Sequence, residues 1–288
     1  MIELDGMQVR FGRFMAVESL SLSVPAGELF GFLGPNGAGK TTTMRVLSGA
    51  LRASAGRVRV AGCELPRELA RLKPRMACVP DVDTHYEDLS ARENLRLFAR
   101  LYGVDPRAVD TWLARVELSE AADLKVRSYS RGMKKKLLIA RELMHAPQII
   151  FLDEPTAHLD RHSVSRVHAL LREQVAEGRT VFLTTHDMDE VEALCDRVAL
   201  IAHGRLLACD TPARLIARHA QRWCEVQYES EGRSQRLSLR MDDDAEREQL
   251  ASLLRTHPHL RMHTREPAFE EVFRSLTAAA TAARGVPA

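Results

Sequence analysis

The chain has 288 residues, 45% of them hydrophobic, and 41 basic against 39 acidic side chains leave a net charge of +2. That apolar content suffices for one large domain and a smaller one, and so balanced a charge leaves no polyanion-binding footprint, so no nucleic-acid partner is expected. No run approaches the ~18 apolar residues of a spanning helix. Met1, Ile2, Glu3, Leu4 and Asp5 lack the basic and apolar regions of a leader, and Cys63, Cys78, Cys195, Cys209 and Cys224 show neither zinc nor disulfide spacing. A soluble cytoplasmic protein is expected, held at a membrane only through a partner.

In chain order, 2–9 and 20–24 alternate apolar and polar residues as half-buried antiparallel strands do, with Phe11-Gly12 between them. Pro25-Ala26-Gly27 marks a turn, and 28–33 reads as a buried strand. It delivers the chain to Gly34-Pro35-Asn36-Gly37-Ala38-Gly39-Lys40-Thr41-Thr42, which fits Gly, four residues, Gly-Lys-Thr, ahead of a helix with Met44, Val46 and Leu47 at helical spacing. Glycines leave backbone N–H groups unshielded and the helix begins at the loop, so the segment is expected to cradle nucleotide phosphates. Lys40 is expected to reach the β- and γ-phosphates, and the Thr41 hydroxyl to ligate Mg²⁺.

A further alternating stretch, 57–60, completes a small antiparallel sheet. From 87 to 118 apolar residues fall at helical spacing, broken by Gly103 and Pro106, and a third helix is expected near Ser130. Together these form a helical insertion over about 87–145. Short apolar runs at 149–152, 180–183 and 198–202 then alternate with helix-like 163–175 and 188–194, which predicts a parallel sheet with crossover helices. The run at 149–152 ends in Asp153-Glu154. In such sheets ligands bind beyond the carboxyl ends of the strands, so Asp153 is expected to face the Mg²⁺ held by Thr41 and Glu154 to deprotonate or orient the attacking water.

Tyr129-Ser130-Arg131-Gly132-Met133-Lys134-Lys135-Lys136, upstream of Asp153, resembles the signature motif of the ATP-binding cassette (ABC) family. The resemblance implies an ABC-type P-loop NTPase: an α/β fold with a parallel-sheet core, an antiparallel β subdomain and a helical subdomain over 1–210, binding ATP and Mg²⁺. It implies that Ser130 and Gly132 face the γ-phosphate held by a second copy of the chain, making a head-to-tail dimer. Arg131 and Met133 stand where the family has Gly and Gln. Read without the resemblance, the segment is a helix N-cap followed by a solvated face of Lys134, Lys135 and Lys136.

Ala157-His158-Leu159-Asp160 resembles the loop that couples the two sites, and Asp160 is carried over as a nucleotide-site residue. His186 matches the switch histidine at the γ-phosphate. Phe11 sits where the family stacks an aromatic on adenine, core packing being the competing role. Asp81 replaces the family's usual Gln after the strand at 76–80; a carboxylate still suits Mg²⁺ or its water, and contact is expected only in the closed dimer.

Thr211-Pro212 marks a boundary. The remaining 211–288 reads as a small α+β domain, regulatory or dimerising, with strands at 223–228 and 236–239, helices at 245–254 and 268–276, and a frayed end from Ala278. Pro267, Phe269, Val272, Phe273 and Leu276 resemble the ending of cassettes that power type-2 export through a separate membrane permease. The chain is therefore identified as resembling the ATPase subunit of an exporter, peripheral on the cytoplasmic face of the cell membrane. The alternative is a soluble cassette acting on ribosomes or DNA; a P-loop kinase would leave the signature segment unexplained. His257, His259 and His263 lie close together but without accompanying carboxylates in a ligand pattern.

Overall fold

A computed structural model describes residues 1–82, 84–219, 223–230, 233–257, 259–265 and 268–282. Contacts divide the chain into two compact units, Met1–Asp210 and Thr211–Ala288. The first runs β1 (Ile2–Phe11), β2 (Phe14–Val24), β3 (Leu29–Leu33), α1 (Lys40–Leu47), β4 (Ala55–Val60), β5 (Cys63–Glu64), α2 (Leu69–Leu72) and β6 (Met76–Val79). It continues with α3 (Ala91–Tyr102), α4 (Ala108–Arg115), α5 (Arg131–Leu143), β7 (Ile149–Asp153), α6 (Arg161–Ala176), β8 (Thr180–Thr185), α7 (Met188–Leu194), β9 (Arg197–Ala202) and β10 (Arg205–Asp210).

Strands β1 and β2 are longer than their alternation suggests and meet in a hairpin, with Phe11 paired to Phe14 across the turn. They belong to a four-stranded sheet of order β2-β1-β4-β5. A six-stranded sheet of order β10-β9-β3-β8-β7-β6 forms the centre; β9, β3, β8, β7 and β6 run parallel and only β10 is antiparallel. Its middle strands read as unbroken apolar runs because both faces are covered: every residue of β3, β7 and β8 is buried. Phe182 of β8 binds the core together, with its ring 5.7 Å from Phe30, 5.4 Å from Phe32 and 6.0 Å from Phe151.

The register decides where the chemistry gathers. Leu33 lies opposite Thr185 and Asp153 opposite Thr184, so the loop after β3, the carboxylates at the end of β7 and His186 after β8 emerge at one edge. Helix α3 begins in a reciprocal cap, the Ser90 hydroxyl accepting from Glu93 N and Glu93 accepting from Ser90 N. Helix α5 begins at Ser130, whose hydroxyl accepts from Met133 N, and buries Leu137, Leu138, Ile139, Ala140 and Leu143.

The second unit contains α8 (Pro212–His219), β11 (Trp223–Ser230), β12 (Arg233–Arg240), α9 (Asp244–Thr256), β13 (Arg261–Arg265) and α10 (Phe269–Ala282). Its sheet has the order β12-β11-β13, and Cys224, Val226, Leu239 and Leu250 form a small core. Three elements differ from the sequence expectation, among them α8, which opens at Pro212 where only a boundary is expected. Strand β13 has no apolar alternation and forms by pairing with β11. Helix α10, packed on α8, continues through Ala282 where fraying is expected from Ala278, because alanine favours helix and the Thr277 and Thr281 hydroxyls bond back to Phe273 O and Thr277 O. Pro258, Pro267 and the rest of the Ala-rich end lie outside the described residues. Among the described residues no helix is long and apolar enough to cross a membrane.

Truncating the ring at the centre of the main sheet removes three aromatic contacts at once. Phe182→Ala is expected to lower stability by about 3–5 kcal/mol, measured by urea denaturation of the purified chain.

Candidate nucleotide site

Two glycines let the loop after β3 sit against its neighbours. A Cβ on Gly34 would lie 2.4 Å from the Ile201 carbonyl oxygen, and Gly39, at φ 104°, would place one 2.8 Å from the Ala16 carbonyl oxygen. The buried Ala38 locks the turn, donating to Pro35 O and accepting from Gly204 N, while Asn36 and Gly37 are exposed. Gly39 caps α1 without a side chain, so the amides of Lys40, Thr41 and Thr42 lack intrahelical acceptors and lie at the positive end of the helix dipole. This is an anion cradle. The Lys40 ammonium folds over it, donating to Gly34 O at 2.6 Å and Pro35 O at 3.3 Å. Burial pulls the Lys40 pKa below its usual value, against the pull of Glu154 and Asp153 towards the charged form.

Asp153 closes the cradle from the side. Its Oδ2 accepts from the Thr41 hydroxyl at 3.4 Å, and its Oδ1 accepts a short hydrogen bond from Thr184. One hydroxyl and one carboxylate beside a phosphate cradle suit Mg²⁺, a hard cation that takes one or two protein oxygens and completes its shell with phosphate and water. Glu154 follows at φ 48°, an uncommon conformation for a residue with a side chain, and its N–H donates to Thr184 O at 3.0 Å. His186 Nδ1 donates to Glu154 Oε2 at 2.9 Å. The side chains drawn from the ends of α1, β7 and β8 thus form one group.

The remaining candidates stand at other places. Ser130 and Gly132 open α5, and a Cβ on Gly132 would approach His158 O at 3.1 Å, so the signature segment lies against the 157–160 loop of the same chain. Asp160 caps α6; hydrogen bonds from Ser163 N and its hydroxyl hold the Asp160 carboxyl below the usual range. Phe11 is 50% exposed at the hairpin tip, which excludes core packing, and the adjoining Phe14 is as open. Asp81 is also exposed, and its nearest cation is Lys135 Nζ at 4.0 Å.

The lysine run departs from the expected solvated face. Lys134 pairs with Glu87 and Lys136 with Glu117, but Lys135 is only 3% exposed and turns inward to Pro80 O and Asp153 O. Three successive residues span about 200° of a helix, so they cannot share one outward face. That geometric signal was available in the sequence. Thr184, which orients Asp153, left no such mark, because only strand pairing places it there.

A parallel sheet whose strand ends carry a glycine-lined phosphate loop, a lysine and paired carboxylates defines a P-loop nucleoside triphosphatase. The ABC transporter family model matches residues 17–157. A fluoroquinolones export ATP-binding protein of Mycobacterium tuberculosis is 36% identical over 282 residues, covering 96% of this chain and 93% of that one. Nod factor export ATP-binding protein I of Rhizobium sp. (strain N33) is 36% identical, covering 96% of each. Among solved structures, an ATP-binding subunit of an ABC transporter superposes with TM-score 0.71 at 26% identity, over 76% of this chain and 92% of that one. A dimeric cassette in a post-hydrolysis state, bound to ADP and Pi, shares the fold with TM-score 0.68 at 23% identity, over 73% and 98%. The chain belongs to the ABC transporter family and is an ATPase subunit homologous to exporter ATP-binding proteins.

The close approach at Gly34 yields a direct test. Gly34→Ala is expected to weaken binding of a fluorescent ATP analogue at least about tenfold, since the added methyl must displace the loop from the Ile201 carbonyl.

Proposed function

We propose that this chain drives export: two copies close head to tail over ATP and Mg²⁺, and a separately encoded membrane permease converts closure and reopening into transport. The observation that carries this reading is the hydrogen bond from His186 to Glu154 at the mouth of the phosphate cradle. It puts a candidate base and a candidate γ-phosphate contact on adjacent strand ends, beside Lys40 and Asp153.

In this reading the amides of the 34–42 loop and Lys40 hold the phosphates, and Phe11 stacks on the adenine. Thr41 and Asp153 would hold Mg²⁺, which would supply charge neutralisation to the phosphates. Glu154 orients the attacking water and takes its proton, while His186 positions Glu154 through Nδ1 and offers Nε2 to the γ-phosphate. The residues supply position and charge complementarity, the principal needs of phosphoryl transfer to water. Ser130 and Gly132 serve the nucleotide held by the other copy, which is why they need not approach the cradle of their own chain. Asp160 lies in the loop that links the two sites.

Residues 1–210 form the nucleotide-binding domain, the helical subdomain about 87–145 passes motion to the permease, and 211–288 is a regulatory or dimerising domain. The nearly full-length match to export proteins supports this over the ribosome- or DNA-acting alternative. Those relatives are named for chemically unlike cargoes, in keeping with cargo choice in the permease. The chain then resides on the cytoplasmic face of the cell membrane, held there by the permease.

Glu154→Gln is expected to bind ATP and dimerise but lose at least about 10²-fold in turnover, measured by phosphate release. Hydrolysis at the parent rate would remove Glu154 as the base. In a pull-down of the tagged chain a multi-span membrane protein is expected; recovery of ribosomes or DNA instead would favour the alternative.

A further inference from the structure

We propose that Lys135 is a positioning residue for the ATPase reaction: it ties the signature helix and the Asp81 loop to the peptide that sets Glu154. This rests on the head-to-tail reading above, because the signature helix acts on the nucleotide only across a dimer.

A lysine buried to 3% exposure in an interior is costly unless its charge is met. Lys135 Nζ meets it with the Pro80 carbonyl at 3.2 Å, the Asp153 carbonyl at 3.4 Å and the Asp81 carboxylate at 4.0 Å. The Asp153 contact is the consequential one. The carbonyl of Asp153 and the N–H of Glu154 are two ends of one peptide group; Lys135 holds the first, and Thr184 O holds the second at 3.0 Å. Clamped at both ends, that peptide delivers Glu154 at φ 48°, the conformation from which it reaches His186.

The other contacts fasten the same helix to the Asp81 loop. Arg141 donates to Thr84 O at 2.7 Å and to the Thr84 hydroxyl at 2.8 Å, and His85 Nε2 bonds Lys134 O at 2.9 Å. Pro80, Asp81, Thr84 and His85 are therefore fastened along α5, whose N-cap is Ser130. Movement of that helix towards a partner's nucleotide pulls on the Asp153–Glu154 peptide through Lys135, so arrival of the signature serine and alignment of the base are linked.

The test uses the full chain. In the Glu154→Gln background, ATP is titrated and the dimer fraction read by size exclusion with light scattering; the parent is expected to dimerise. Adding Lys135→Met is expected to raise the half-dimerising ATP concentration at least about tenfold while affinity of the monomer for a fluorescent ATP analogue changes less than about twofold. In the otherwise native chain Lys135→Met is expected to lower kcat at least about tenfold with little change in KM, and Lys135→Arg to recover most of it. Asp81→Asn, at an exposed position, is expected to cost about threefold alone and nothing further on top of Lys135→Met.

Parental dimerisation and turnover in Lys135→Met overturn the proposal. So does loss of analogue binding together with dimerisation, which marks a merely structural lysine. Additive effects of the two substitutions overturn the link to Asp81. Should Lys135→Met not fold, Lys135→Gln, which removes the charge and keeps a polar end, takes its place with the same expected and overturning results. If Glu154→Gln itself stays monomeric, the dimer reading fails; Lys135 is then decided by the kcat and KM of its own variants.

Discussion

Asp153 is the junction on which the site depends. Its two carboxylate oxygens accept from Thr41 at the start of α1 and Thr184 at the end of β8, and its backbone carbonyl accepts from Lys135 of α5. Three elements distant in sequence are thereby fixed around one residue. Such a cluster is stable because each buried polar atom has a partner; the low-dielectric interior strengthens bonds that are made and penalises those that are missing. The sheet makes the arrangement possible, since parallel pairing with Asp153 opposite Thr184 leaves the strand ends level.

From this junction the phosphate loop and Glu154 differ in how they are held. The loop is held by backbone packing, with Gly34 and Gly39 against the carbonyls of Ile201 and Ala16, and by the Lys40 ammonium, which donates to Gly34 O and Pro35 O. Glu154 is held by its neighbours. Its left-handed backbone conformation persists because the surrounding hydrogen bonds fix the peptide before it, and the pairing with His186 fixes the carboxylate beyond it.

Helix α5 connects this junction to the rest of the first unit. It presents Ser130 at one end, carries the Asp81 loop along its side and buries an apolar face of leucines and isoleucine. A helix is a stiff element, and side chains packed on it move with it. Arg141 adds to this stiffness, since its guanidinium stacks over the Phe98 ring at 4.3 Å while bonding Thr84.

The sequence alone determined the parts whose chemistry is local. The order of glycines, Lys40 and Thr41 between an apolar strand and a helix announces a phosphate cradle, the unbroken apolar runs announce buried parallel strands, and Ser130 announces a helix start. The solvated face expected for Lys134, Lys135 and Lys136 did not form: Lys135 is buried, and Lys134 and Lys136 are largely covered against Glu87 and Glu117; the rotation between successive helical residues already argued against one shared outward face. What only the tertiary structure decided are contacts across strands and helices: Thr184 on Asp153, Lys135 on the peptide before Glu154, β13 completing its sheet against β11, and Phe11 exposed at a hairpin tip. Residue type and spacing encode propensity and periodicity along one element. Which atoms meet across two elements depends on register and packing, and those are set only when the whole chain has closed on its core.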